Sequence, residues 1–301
     1  MNFKTIGLIG YGEVGKIFSA GLQGKDGIEG QNGVHAWDRK FVGDTAAAEL
    51  AHAKDAGVTA QMSSKALCES SDLVIAAVTA SQSLAVAEEA AKSIRPGSVY
   101  LDLNSASPGT KQRSAELIEA AGARYVEAGV MTSVPPYGIR VPLLLGGEHA
   151  GELAILLSAW GMDAKAVSEK LGVASAIKMC RSVMIKGMEA LVIESYATAR
   201  AYGVEDYVIP TLEETFPNMD WQKTGAYFFS RVVQHGQRRA EEMRESANTV
   251  REAGFEPYMT ASIADKQQWV ADQAKSGIFN DVGKDAAWQE YADRLLAARK
   301  P

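Results

Sequence analysis

The sequence predicts an α/β N-terminal domain, doubly wound around a mostly parallel sheet, and an all-α C-terminal domain joined to it by a long interdomain helix. Three observations carry this prediction. Short apolar strands alternate with helical segments from Phe3 to about Ser168; the first strand runs directly into glycines at positions 10, 12 and 15; and after Gly172 no strand run appears, the chain being dominated by Ala, Glu, Lys, Arg, Met and Gln. The expected division is 1–171 and 172–301.

The first strand begins at Phe3 and ends in Gly10-Tyr11-Gly12-Glu13-Val14-Gly15, from which a helix pattern continues to Leu22. This is GxGxxG in the context of a dinucleotide-binding turn. Gly10 permits the tight turn, Gly12 lets the backbone approach a pyrophosphate, and Gly15 allows the helix to pack on the strand, with Glu13 and Val14 at the phosphate-facing helix start. A second strand, Gly33 to Trp37, ends in Asp38, an acid placed to accept ribose hydroxyls. Together these define a Rossmann-type cofactor site. Further strands are read at Asp72 to Val78, Ser98 to Leu103, Arg124 to Val130 and Val141 to Leu145, with helices at Phe41 to Ala56, Ser81 to Ile94 and Pro108 to Ala121 between them. Beyond Gly172, Ala174 to Tyr202 reads as one helix of about 29 residues, roughly 43 Å long. Gly203 ends it, Pro210 and Pro217 break up the next segment, and Asp220 to Ala253 forms another long helix closed by Gly254.

Composition narrows the function classes. The chain has 301 residues, 47% hydrophobic and 23% charged, as expected of a folded globular protein. A net charge of −6 and a pI near 5.4 provide no general attraction to nucleic acid or to anionic membranes, and no apolar run approaches the ~18 residues of a membrane span. Two distant cysteines, Cys68 and Cys180, and four histidines lack metal-ligand spacing, so neither a disulfide nor a metal site is expected. The first strand starts within a few residues of Met1, which is read as leaving no room for a signal peptide; the cytoplasm is the expected location.

Two further segments can carry chemistry. Asp102 to Pro108, DLNSASP, leaves the end of a strand and enters a helix, where an open parallel sheet collects its ligands. Asn104 and Ser105 suit a hydroxyl or carboxylate there, and suit helix capping equally well. In Gly172 to Glu189, Lys178, Ser182 and Lys186 recur at intervals of four and share a helix face. The surrounding Ala174, Ala176, Ile177, Met179, Val183 and Met184 are apolar, so an inward-facing Lys178 is desolvated, which suits proton transfer; a solvated surface lysine is the plainer alternative.

With these three segments in this order, the chain resembles the β-hydroxyacid dehydrogenase superfamily, which includes 6-phosphogluconate and 3-hydroxyisobutyrate dehydrogenases. DLNSASP stands where that family carries DxSTxxP, and Lys178 matches its catalytic lysine. Runs such as KMCRSVMIKGMEAL and HGQRRAEEM resemble the subgroup with a phosphogluconate-dehydrogenase-like C-terminal domain of unknown function. The resemblance implies an NAD(P)-dependent oxidoreductase acting on a small hydroxy acid, with Lys178 as acid/base and a homodimeric or larger assembly. By position it implies Asn104, Ser105, Thr132, Ser133 and Ser182 as substrate-shell residues and Thr79 as an additional cofactor residue. The usual Ser-Thr pair is Asn104-Ser105 here, the glycine-rich carboxylate segment is Met131-Thr132-Ser133, and Ser182 replaces an amide side chain, so the pocket is rebuilt.

In similar enzymes the C-terminal domain completes the substrate site, which singles out His235 and Arg239, although a solvated basic helix face accounts for them equally well. Asp38 favours NAD, while Arg39 and Lys40 offer a grip on the 2′-phosphate of NADP. NAD is the expected cofactor and NADP the alternative. An imine or ketone reductase of the same architecture, and a cofactor-binding sensor without turnover, are the rival readings.

Overall fold

The computed structural model describes residues 1–28, 33–44, 46–283 and 285–298, which form two compact units dividing between Met179 and Cys180. The first is a doubly wound α/β unit. Its strands are β1 (Ile6–Ile9), β2 (Val34–Trp37), β3 (Thr59–Ala60), β4 (Leu73–Ala76), β5 (Val99–Asp102), β6 (Arg124–Val130), β7 (Leu143–Gly146) and β8 (Ala164–Ser168), in the sheet order β3-β2-β1-β4-β5-β6-β7-β8. Every pairing is parallel except β6 with β7. The connection between those two holds only a single 3-10 turn, Gly138–Arg140, without the helical crossover that a parallel return requires.

The central strands are buried on both faces, as parallel sheets require. Leu73 and Ile75 of β4, with Val99 and Leu101 of β5, join Ile6, Leu8, Phe18 and Val34 in one core. Their alternates, Val74, Ala76 and Tyr100, join Leu67, Ile118 and Tyr125 in the other. The chain winds from β1 outward to β3 and then returns to β4 on the other side of β1, so the connections after β1 and β4 diverge and open a crevice at the carboxyl ends of the strands.

The helices of this unit are α1 (Glu13–Leu22), α2 (Ala46–Asp55), α3 (Ser64–Ser70), α4 (Ser83–Ala91), α5 (Pro108–Ala120) and α6 (Ala150–Ala159). In α5 Pro108 occupies the first turn and the Ser107 hydroxyl accepts from Thr110 N, a side-chain cap. The predicted helix Phe41 to Ala56 is corrected. A 3-10 turn covers Arg39–Phe41, α2 begins at Ala46, and Thr45 lies outside the described residues. β3 and β8 were not among the predicted strands; one has two residues and the other is a largely solvated edge strand without an apolar run.

α7 (Val173–Tyr202) runs 30 residues, beginning in the first unit and continuing through the second. The second unit adds α8 (Glu205–Thr215), α9 (Trp221–Glu252), α10 (Tyr258–Lys275) and α11 (Trp288–Ala297). Pro210 does not break the chain; it lies inside α8. The backbone carbonyl it leaves unbonded belongs to Asp206, an exposed residue that water can satisfy. Asp220 caps α9 by accepting from Lys223 N at 3.0 Å. Tyr196, Phe229, Val232, Trp288 and Tyr291 form the main core of this unit. A polar layer lies beside it, where α9 and α10 approach so closely that a Cβ at Gly236 would fall 2.8 Å from the Gln267 carbonyl oxygen. Arg239 Nε donates to Glu189 Oε2 at 2.9 Å and a second guanidinium nitrogen donates to Oε1, with both residues buried.

Breaking a buried pair leaves an unpaired charge away from water. Glu189→Ala is therefore expected to lower the unfolding free energy by about 3–5 kcal/mol, measured by denaturant unfolding. Replacing Glu189 and Arg239 together with methionine should restore most of that loss.

Candidate cofactor and proton-transfer site

The glycine turn has the geometry that a dinucleotide needs. Gly10 adopts φ +100°, and a Cβ there would lie 2.4 Å from the Ala77 carbonyl oxygen. At Gly15 a Cβ would fall 1.9 Å from Gly10 O, so α1 rests directly on the turn. Gly12 is the N-cap of α1, supplies no side-chain cap, and has open space where its Cβ would be. That space lies at the positive end of the helix, where a pyrophosphate binds. Glu13 is exposed in the first turn and Val14 is half-buried.

Asp38 links this turn to the end of β2. Its Oδ2 accepts from Tyr11 N at 2.7 Å and its Oδ1 from Lys40 N at 2.9 Å, which fixes the carboxylate beside the glycine turn. The side chain of Arg39 is exposed and makes no hydrogen bond or ion pair with the described residues, while its carbonyl accepts from Val42 N at 3.2 Å. Tyr11 is buried against Phe41, with its hydroxyl 3.1 Å from His52 Nδ1. Thr79 precedes a 3-10 turn after β4, its hydroxyl 3.2 Å from Ser81 Oγ.

At the end of β5 the buried Asp102 organises the segment that follows. Its Oδ1 accepts from Asn104 N at 2.9 Å and pairs with Lys111 Nζ at 3.0 Å, while Lys111 also donates to the Asp102 carbonyl at 2.9 Å. Tyr125 donates its hydroxyl to Oδ2 at 2.7 Å. Burial, reinforced by the Asp102 charge, holds the Tyr125 phenol well above its ordinary range, so it remains a neutral donor. Neither Lys111 nor Tyr125 is marked by a motif in the sequence. Asn104 Oδ1 accepts from Val78 N at 2.7 Å, which joins the loops after β4 and β5. Its Nδ2 is buried and, among the described residues, has no hydrogen-bond partner; it is a donor available to a bound ligand.

Beside this segment, Lys178 Nζ donates to Ser105 Oγ at 2.6 Å, with Lys178 half-buried on the second turn of α7. The structure thus brings together Asn104, Ser105 and Lys178 in the first unit. Thr132 and Ser133 stand in the turn after β6, the first exposed and the second half-buried. Ser182, His235 and Arg239 belong to the second unit. There the buried Ser182 accepts from Lys186 Nζ at 3.2 Å, and Lys186 is paired with Glu242 at 2.8 Å. Arg239 is engaged by Glu189 and buried, while His235 is half-buried. Among the described residues no group of three His, Cys, Asp or Glu side chains is arranged to hold a metal ion, and no helix is long and apolar enough to cross a membrane.

Residues 5–159, just over half of the chain, match the model of the NAD binding domain of 6-phosphogluconate dehydrogenase. The chain belongs to this family. The open glycine turn and the placed Asp38 fit the NAD(P) that the family's Rossmann domain binds. Residues 199–270, which lie in the helical second unit, match a domain of unknown function, DUF1932. An uncharacterized 28.5 kDa protein of Methanothermus fervidus is 30% identical over 257 residues, covering 84% of this chain and 94% of that protein. A conserved hypothetical protein from Sinorhizobium meliloti 1021 is 34% identical with a TM-score of 0.75, over 98% of this chain and 96% of that one. The conserved protein MTH1747, described as structurally similar to 3-hydroxyacid dehydrogenases, is 29% identical with a TM-score of 0.67, over 90% of this chain and 98% of its own.

Proposed function

We propose that this protein is an NAD(P)-dependent dehydrogenase that oxidises the carbinol of a small β-hydroxy acid, or reduces the corresponding carbonyl, with Lys178 as general acid/base. The observation that supports this reading is the 2.6 Å bond from Lys178 Nζ to Ser105 Oγ at the carboxyl end of the sheet. Bound NAD(P) supplies the hydride acceptor or donor. The chain's own residues must orient the substrate and move one proton. A neutral Lys178 Nζ accepts the hydroxyl proton as the carbonyl forms, and in the reverse direction the ammonium returns it. Ser105 Oγ, which already accepts from Nζ, has its own hydrogen to donate to the substrate oxygen. Asn104 Nδ2 is a second donor on the same segment, and Thr132 and Ser133 are proposed to receive the acidic end. Of the C-terminal candidates, Ser182 and His235 are retained, whereas the guanidinium of Arg239 is engaged by Glu189.

A homodimer is part of the proposal, supported by large apolar side chains exposed on α7 such as Met184 and Leu191. NAD is proposed as the preferred cofactor. The Asp38 carboxylate, held by two backbone N–H groups, suits the free ribose hydroxyls and repels a 2′-phosphate.

Lys178→Ala should leave folding and NAD(P) binding intact while lowering cofactor reduction by at least about 10²-fold across a panel of hydroxy acids. Turnover near that of the wild type would remove Lys178 from the mechanism. Lys186, already paired with Glu242, is not expected to replace it. Asp38→Ala should shift the ratio of NAD to NADP efficiency towards NADP by about 10–100-fold, the equivalent of one charged hydrogen-bonding group worth roughly 1.5–3 kcal/mol. A wild-type preference for NADP that Arg39→Ala abolishes would instead assign nucleotide choice to the cation.

A further inference from the structure

Glu127 is fully buried on β6, and its chemistry is not used by the proton-transfer site. A carboxyl group in the sheet interior needs a reason to be there, because burial without partners is strongly unfavourable. Its partners lie at the start of α7. Glu127 Oε1 accepts from Gly172 N at 2.8 Å and from Ala174 N at 3.1 Å. Gly172 is the residue whose carbonyl receives the first bond of the helix, from Ala176 N at 2.9 Å, so these two N–H groups are among the four that an α-helix leaves unbonded at its N-terminus. A side chain from the sheet thus caps the helix that carries Lys178.

Two residues along the same strand, and therefore on the same face, lies Gly129. A Cβ there would stand 2.9 Å from the Ala174 carbonyl oxygen and 3.4 Å from Lys178 Cβ. The helix consequently rests on the strand backbone at the turn that presents the lysine. Opposite Glu127, on β7, is Gly146, where a Cβ would fall 2.4 Å from Glu127 Oε1. The Glu127 carboxyl group thus occupies the space that a side chain at position 146 would need, while the space left by Gly129 is filled by α7. Lys178 follows Ala174 by four residues, one turn along α7, so a shift of the capped end is carried directly to Nζ and its 2.6 Å contact with Ser105 Oγ.

We propose that Glu127 is a positioning residue that sets Lys178 against Ser105 by capping α7, acting through the reach of its oxygen and not through its charge. The consequence for turnover rests on the role given to Lys178 above; the consequence for the environment of Lys178 does not. Two conservative variants separate reach from charge. Glu127→Asp keeps the charge and withdraws the oxygens by one methylene, whereas Glu127→Gln keeps an amide oxygen at full reach and removes the charge.

The test is competitive acetylation of the folded proteins with acetic anhydride over a range of pH, with the modification of Lys178 read by peptide mass spectrometry against the other lysines. Retained NAD(P) binding and a single cooperative thermal transition serve as the check on folding. In Glu127→Asp the relative reactivity of Lys178 should rise at least about fivefold, the equivalent of losing one hydrogen bond of about 1 kcal/mol, and its pH midpoint should move. Turnover should fall by up to about 10²-fold with the cofactor KM unchanged, as expected of a displaced catalytic group. Glu127→Gln should keep the wild-type labelling profile. Should Glu127→Asp fail to fold, Gly129→Ala tests the same seat from the strand side and should raise Lys178 labelling in the same way. Wild-type labelling in the folded Asp variant, or in Gly129→Ala where that is the one tested, overturns the proposal, as does a Gln variant as disturbed as the Asp variant. Labelling that follows Glu127 in a protein whose turnover is insensitive to Lys178→Ala would sustain the positioning role and overturn the reading of Lys178 as acid/base.

Discussion

The site depends on a helix resting on a strand with no side chain between them. At Gly129 of β6 the backbone of α7 comes so close that a single methyl group would meet both Ala174 O and Lys178 Cβ. Close packing of this kind transmits small displacements, because a packed interior has no spare volume to absorb them. Lys178 is on the second turn of that helix, and its Nζ meets Ser105 from a different loop, 73 residues earlier in the chain. The contact therefore requires both the seat of α7 and the loop after β5 to be fixed.

The loop is fixed by a buried charge. Asp102 ends β5 with its carboxylate bonded to Asn104 N, Lys111 Nζ and the Tyr125 hydroxyl, so the first residues of the segment cannot swing freely. A buried network of this type is unforgiving, since removal of one member leaves the others desolvated and unpaired. It gives the segment a single conformation. From there Asn104 ties the loop to Val78 after β4 and still holds an unbonded donor, while Ser105 faces the lysine. The helical unit follows the same logic, with Arg239 of α9 and Gln267 of α10 both donating to Glu189 of α7.

Much of this was legible in the sequence because strong local patterns carry it. The glycine turn combines a strand, a helix start and three glycines whose roles are steric, and α1 begins and ends where its pattern places it. The long run of helix formers up to Gly203, free of proline and holding only Gly187 inside it, likewise defined α7 to within a residue. Short or solvated elements were not legible: β3 has no room for a periodic pattern, and β8 lacks an apolar face. Pro210 was misread because a proline's effect depends on whether the carbonyl it orphans reaches water. Long-range partners were invisible for a different reason. Nothing local distinguishes Lys111 or Glu127 from a surface charge until the fold closes around them, and the pairing of Arg239 with Glu189, 50 residues away, has no local signal either.

The central claim is that this arrangement of NAD(P) turn, Ser105 and Lys178 transfers a hydride from a carbinol carbon. Its most direct test uses short β-hydroxy acids deuterated at that carbon, incubated with the protein and oxidised cofactor, with the nicotinamide analysed by mass spectrometry. The account predicts deuterium on the reduced ring for at least one such acid. Cofactor that binds but acquires no label from any hydroxy acid, while becoming labelled from a deuterated amine, would contradict it.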